Sequence, residues 1–373
     1  MRKILILGVA AVQMDAIKVL KELGYETYAC AMSKDGPGAD IADHFDIINI
    51  LDIPALNRHI KTNKIDIIYS VGSDIAMPVV CKISEELSLP HFASYNAALT
   101  CNNKILMRET LGKDFEGNIP FQVIEDLEII PDIEMPFIMK PSDSQGQRGI
   151  VLVYSLKEYR DNFYYVKSFS KTGKVIIEEF VNGPELSVNV YLIDGEIRYI
   201  IPSDRVTWEN YTGLIHKHIV PTRVMDVKDL HVLEKVIAEA CKRIGIQNGP
   251  AYFQIKLNNG RPYIIEMTPR LDGCHMWKLL SYYNGVNLLK LTFEHLINGD
   301  ITELDNIDMS TVEHELEFFC QEPNTIINKN KFHIPDDALE HFFYYDNGEK
   351  IRPVNGKFDK VGYFIKVLGS AEL

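Results

Sequence analysis

The chain has 373 residues, too many for one ordinary core, and its 46% apolar and 24% charged content is that of a soluble globular protein with two or three subdomains. A formal charge of −13 argues against a general nucleic-acid or anionic-membrane binder, which needs a net basic face. A local cluster of Lys and Arg can still hold an anionic small ligand. The six cysteines (Cys30, Cys81, Cys101, Cys241, Cys274, Cys320) are scattered without a Cys-x-x-Cys pair, so they read as reduced buried thiols rather than a disulfide scaffold or a zinc site.

The opening "MRKILILGVAAVQMDA" mimics a signal peptide, but Gln13 and Asp15 soon follow and the run merges into a helical pattern. It reads as a first buried strand. No apolar stretch approaches the roughly 20 residues of a membrane span, and the cytoplasm is the expected location. Strand-like runs ("KILILGV", "ETYACAM", "HFDIINI", "IDIIYSVGSD") then alternate with amphipathic stretches ("QMDAIKVLKELG", "IPALNRHIKTNK", "AMPVVCKISEELS"). Apolar runs between helices predict a parallel sheet in a doubly wound, Rossmann-like α/β domain. The loop "GVAAVQ" lacks the second and third glycines of a dinucleotide fingerprint, so no NAD or FAD is assigned.

From residue 98 the texture changes. "NAALTCNNKILMRETLG" reads as one helix, "MPFIMKP" and "GIVLVYS" as strands around a small-residue loop, and 174–205 as an antiparallel meander. "VKDLHVLEKVIAEACKRIG" is an amphipathic helix ending at Gly245, and "AYFQIKLNNGRPYIIEM" a hairpin turning at Asn258-Asn259-Gly260. Beyond residue 300, several short strand-like runs predict a small β-rich cap.

Three segments carry candidate chemistry. In "MPFIMKPSDSQGQRGIVLV", Lys140 ends a strand, and a loop with Ser144, Gly146 and Gly149 offers backbone amides to phosphate oxygens. It can equally be a mobile hairpin. In "KVIIEEFVNGPELSV", Glu178 and Glu179 end an apolar run and Glu185 follows, a pattern that suits a purine edge and ribose, or a solvated turn. In "AYFQIKLNNGRPYIIEMTPR", the hairpin returns Glu266 beside Gln254, and Thr268 and Arg270 face the same side. Oxygen donors so placed suit a hard divalent cation, and the Arg270 fork suits a phosphate or carboxylate.

Taken in order, these segments resemble the ATP-grasp fold over roughly 98–300, with the doubly wound domain that family members carry before it. The resembling residues are Asn103-Lys104, the Lys-Pro strand and its Gly-rich loop, Glu-Glu-Phe-Val with a Glu seven on, and Glu266-Met267-Thr268-Pro269-Arg270. The resemblance implies a pre-ATP-grasp domain at 1–97, an ATP-grasp domain at 98–300 with a lid subdomain at about 113–185, and a β-rich segment at 301–373. It also implies that Lys104 and Lys140 contact ATP phosphates and that the loop 142–149 lids them. Glu178 and the backbone of Glu179, Phe180 and Val181 would hold adenine, and Glu185 the ribose. Gln254, Glu266 and Thr268 would bind Mg²⁺ or Mn²⁺, and Arg270 would steady the transferred phosphoryl group. Gln254 stands where many amino-acid ligases have Asp, which points to the carbamoyl-phosphate synthetase large-subunit type. Thr268 replaces the usual Asn, and a hydroxyl binds magnesium more weakly.

The implied activity is a ligase that activates a small carboxylate as an acyl phosphate for attack by an amine. Activation of bicarbonate or another small acid, and a nucleotide-binding subunit with little or no catalysis, are the alternatives. Arg205, His216, Asp272 and His275 are the candidates for the substrate end, although His216 also fits an ordinary strand. The expected partners are small molecules, with no nucleic acid and no membrane; a homodimer stays open.

Overall fold

The computed structural model describes residues 1–144, 148–308, 311–354 and 357–370. The amino-terminal part alternates as expected: β1 (Lys3–Leu7), α1 (Ala11–Glu22), β2 (Glu26–Ala31), α2 (Gly38–Ile41), β3 (His44–Ile47), α3 (Ile53–Asn63), β4 (Ile67–Tyr69) and α4 (Ala76–Leu87). The strands pair in parallel in the order β3-β2-β1-β4. Central β1 buries Ile4, Leu5, Ile6 and Leu7 completely, because helices cover both faces of a parallel sheet.

The single helix expected over 96–112 is two, α5 (Tyr95–Asn102) and α6 (Lys104–Leu111). Asn103 breaks it. Its backbone is extended (φ −121°, ψ 114°), and its side-chain oxygen accepts from the N–H groups of Ile105 and Leu106. The cap places Lys104 at the very start of α6.

A small sheet follows, built from β5 (Phe121–Ile124), β6 (Phe137–Pro141), β7 (Val151–Val153) and β8 (Val175–Glu179), with α7 (Leu156–Lys167) across it. Its order is β5-β8-β6-β7, and it has its own core of Ile124, Phe137, Met139, Phe163 and Ile177 among others. The meander expected over 174–205 therefore divides. β8 belongs to this small sheet, whereas β9 (Glu185–Ile193) and β10 (Glu196–Trp208) open the large one. The continuous apolar run Val175-Ile176-Ile177 suits either sheet, and only the separate core beside α7 selects β8.

The large sheet also contains β11 (Tyr211–Val220), β12 (Gly249–Asn258), β13 (Arg261–Thr268), β14 (Val312–Gln321), β15 (Glu340–Phe343) and β16 (Asp359–Ser370). Its order is β13-β12-β9-β10-β11-β14-β16-β15, so the strands after residue 300 continue this sheet through β14 beside β11. Helices α8 (Val227–Ile244), α9 (Met276–Asn284) and α10 (Leu288–Asn298) pack against it, and a single core runs from the parallel sheet into the large sheet. Among the described residues, no helix is long and apolar enough to cross a membrane.

Candidate active site

The hairpin β12–β13 sets one wall. Its turn has Asn259 at φ +51° and Gly260 at φ +76°, the two left-handed residues of a type I′ turn. The resulting register puts Gln254 opposite Glu266 and Tyr252 opposite Thr268, with an irregularity just past Gln254. Gln254 donates its side-chain N–H to Glu185 Oε2 (2.8 Å). The same oxygen also accepts from Arg205 (2.5 Å), and Glu185 Oε1 lies 3.7 Å from Lys256 Nζ. Thr268 is buried, and Glu266 is half-buried.

Where the small sheet, α6 and β13 meet, an ion-pair network joins them. Arg108 of α6 is fully buried. It donates to Glu178 Oε1 (3.0 Å), Asn118 Oδ1 (3.0 Å) and the carbonyls of Ile264 (2.7 Å) and Ile265 (3.2 Å). Lys140 donates to the other Glu178 oxygen at 2.5 Å. Burial alone would push the Glu178 carboxyl up; the charges of Arg108 and Lys140 more than offset this and hold it at about 2. Glu178 is therefore ionised, with both oxygens engaged inside the protein.

Lys104 enters the same corner and donates to the Ser144 carbonyl (2.6 Å). Burial lowers its ammonium, Glu266 acts against that, and Lys140 lowers it further. Two cations thus share one partly sealed space, with Glu266 as the facing carboxylate. The loop stem beside them is fixed: Asp143 Oδ1 accepts from Ser170 and from the Lys171 N–H, and Ser142 contacts Ser170 and Thr172. Gly149 packs against the Phe169 ring at the other end. Gly146 lies outside the described residues. The Glu179 N–H donates to the Pro120 carbonyl and the Phe180 N–H to that of Pro136; Glu179 is exposed and Val181 buried.

Arg270 leaves the end of β13 and forks onto Asp74 of the amino-terminal domain (2.8 and 2.5 Å). Close backbone contact allows this. Gly72 (φ +64°) lies so near Gly273 that a Cβ on Gly72 would sit 2.8 Å from the Gly273 Cα. The substrate-end candidates separate. Asp272 is buried, and half-buried Arg205 lies near its charge. His216 instead stacks on Trp208 at 3.7 Å and contacts Glu317. His275 is sealed between Asp15 (2.7 Å) and the Tyr344 hydroxyl (3.0 Å), where burial lowers its basicity. A cleft of about 800 Å³ lies elsewhere, between the loop at Lys34–Asp40 and the chain around β15.

Arg108, Asn118 and Asp74 carry this geometry and were not singled out in the sequence. Arg108 is one of several charges on a helix, and only its complete burial distinguishes it. The mark that was available is its position four residues after Lys104, which puts both on one helix face.

A parallel four-stranded sheet, a separate small sheet and an eight-stranded sheet ending in the hairpin frame this corner. Residues 133–277 match the ATP-grasp domain. Phosphoribosylamine–glycine ligase of Pyrococcus furiosus is 25% identical over 335 residues, 84% of this chain and 75% of that protein. The carbamoyl phosphate synthase large chain of Campylobacter jejuni is 25% identical over 78% of this chain, which spans only 28% of that relative. An L-amino acid ligase from Bacillus licheniformis shares the fold, with a TM-score of 0.82 at 17% identity over 100% of this chain and 94% of that one.

Proposed function

We propose that the chain uses ATP to activate a small carboxylate as an acyl phosphate, which an amine then attacks. The observation that carries this reading is the corner where Lys104, held by the Ser144 carbonyl, lies within reach of the charges of Glu266 and of Lys140, itself held by Glu178. A carboxylate alone is a poor electrophile because its leaving group would be oxide. Phosphorylation replaces that leaving group with phosphate.

The residues fit a hard cation: Gln254, whose amide nitrogen is engaged by Glu185, is the cross-strand partner of Glu266, with Thr268 two residues on, so the set offers oxygen donors. Mg²⁺ or Mn²⁺ held there would share phosphate oxygens and neutralise their charge. Lys104 and Lys140 bind the phosphates, with Ser144 and Gly149 in the loop above them. The Glu178 side chain acts through Lys140 and Arg108 by holding both cations in place. The backbone from Glu179 to Val181 borders the adenine, and Glu185 fixes Gln254 and Arg205. Arg270, steadied by Asp74, faces the charge that develops on the transferred phosphoryl group. Proximity and charge neutralisation supply most of the acceleration.

ADP release measured with a panel of small carboxylates and amines tests the reading. A productive pair raises ADP release, and Glu266→Ala lowers that rate about 10²–10³-fold, as loss of one preorganised electrostatic group does. Mg-ATP binding with no stimulated turnover, or an unchanged rate in Glu266→Ala, refutes it.

A further inference from the structure

We propose that His218, Asp272 and Cys274 form a binding site for a zinc-like divalent cation, separate from the magnesium corner. One donor atom from each lies within 4.8 Å of the others, and all three residues are buried. They come from distant places: His218 from β11, and Asp272 and Cys274 from the link between β13 and α9.

Several of the donor atoms lack a hydrogen-bond partner. Neither ring nitrogen of His218 has a hydrogen-bond partner, and neither does Asp272 Oδ2, although all three atoms are sealed from solvent. Buried polar atoms are nearly always paired, so unpartnered atoms on His218 and Asp272, two residues whose donors meet that of Cys274, call for an occupant. A water needs contacts of about 2.8 Å and room for its own volume, whereas zinc sits about 2.0–2.3 Å from N, O and S donors. The mixed S, N and O set is of zinc type and unlike the oxygen-only set at Gln254 and Glu266.

The surrounding charge permits a dication. Arg205 is matched by Glu185 and Arg270 by Asp74, each at 2.5 Å. That leaves Asp272 and the Cys274 sulfur to face the metal, and binding releases the thiol proton to solvent. Lys360 donates to Cys274 Sγ (3.2 Å) while its ammonium lies 3.7 Å from the centre of the Phe318 ring. It is placed as an outer partner that stabilises the thiolate. Three protein ligands leave a fourth position open, two residues beyond Arg270, where a substrate oxygen or nitrogen can bind.

The test is titration of the full chain, first stripped with a chelator, with Co²⁺. One equivalent should bind with a thiolate-to-cobalt charge-transfer band. The band should vanish in Cys274→Ser, and His218→Ala should bind at least about tenfold more weakly. Lys360→Met should keep the band and weaken binding about 10–100-fold, as loss of an outer partner does. No band in the wild-type protein, or a band that survives Cys274→Ser, overturns the proposal. Zinc X-ray absorption of the wild-type protein reads the same site without a variant: one sulfur neighbour at about 2.3 Å supports it, and a shell of only oxygen and nitrogen overturns it. Neither readout depends on ATP turnover, so failure here leaves the ligase reading intact, and the reverse.

Discussion

Arg108→Met removes the most connected buried charge among the described residues while keeping much of its volume. Four hydrogen bonds go with it: one to Glu178, one to Asn118 and two to the carbonyls of Ile264 and Ile265. Breaking a buried ion pair by deleting one partner costs about 3–5 kcal/mol, because the remaining charge stays buried. Here Lys140 still faces Glu178 at 2.5 Å, which places the expected loss near the lower end, about 3 kcal/mol. The two β13 carbonyls lose their only donor from α6, so the small sheet and the hairpin carrying Glu266 should also loosen against each other. Urea unfolding of Arg108→Met, Glu178→Gln and the double variant measures this. The double variant should be less destabilised than the sum of the singles by on the order of 1–3 kcal/mol, the mark of directly interacting groups. A loss below about 0.5 kcal/mol in Arg108→Met, or additivity of the pair, would refute the reasoning.

Other expectations follow from the same geometry. Glu178 is ionised at about 2 in the folded protein against an ordinary 4.5, so its contribution is complete above about pH 5 and is lost as pH falls towards 2. The shift corresponds to about 3 kcal/mol, and Arg108→Met should move the midpoint of acid unfolding upward; an unchanged midpoint contradicts this. Gly72→Ala forces a side chain into a left-handed backbone against Gly273, and it should cost at least about 1–2 kcal/mol and lower ADP release by displacing Asp74 from Arg270. A wild-type melting temperature in that variant would count against the close contact. Lys104→Ala should raise the KM for ATP while leaving the fold intact, measured by initial rates alongside circular dichroism; equal KM values would remove Lys104 from the phosphate site.

Much of this was legible along the chain because it is local. The β1–α1–β2 alternation follows from short apolar runs between amphipathic ones, and the pairing of Asn258 with Arg261 through Ile255 with Ile264 follows from a two-residue turn, whereas a register shift just past Gln254, which the turn does not set, brings Gln254 opposite Glu266. The family resemblance likewise rests on motifs whose order survives in sequence. What a strand pairs with is not local. The short apolar run of β8 fits either sheet, and the strands after residue 300 read as a cap although β14 continues the large sheet beside β11. Side chains that act across long separations stay hidden for the same reason. Arg108 reaches β13 over 156 residues, Arg270 reaches Asp74 over 196, and Cys274 meets Lys360 over 86. The scattered cysteines argued against zinc because spacing reports only ligands that are near in sequence. Burial and convergence, which place His218, Asp272 and Cys274 around one point, exist only once the chain has folded.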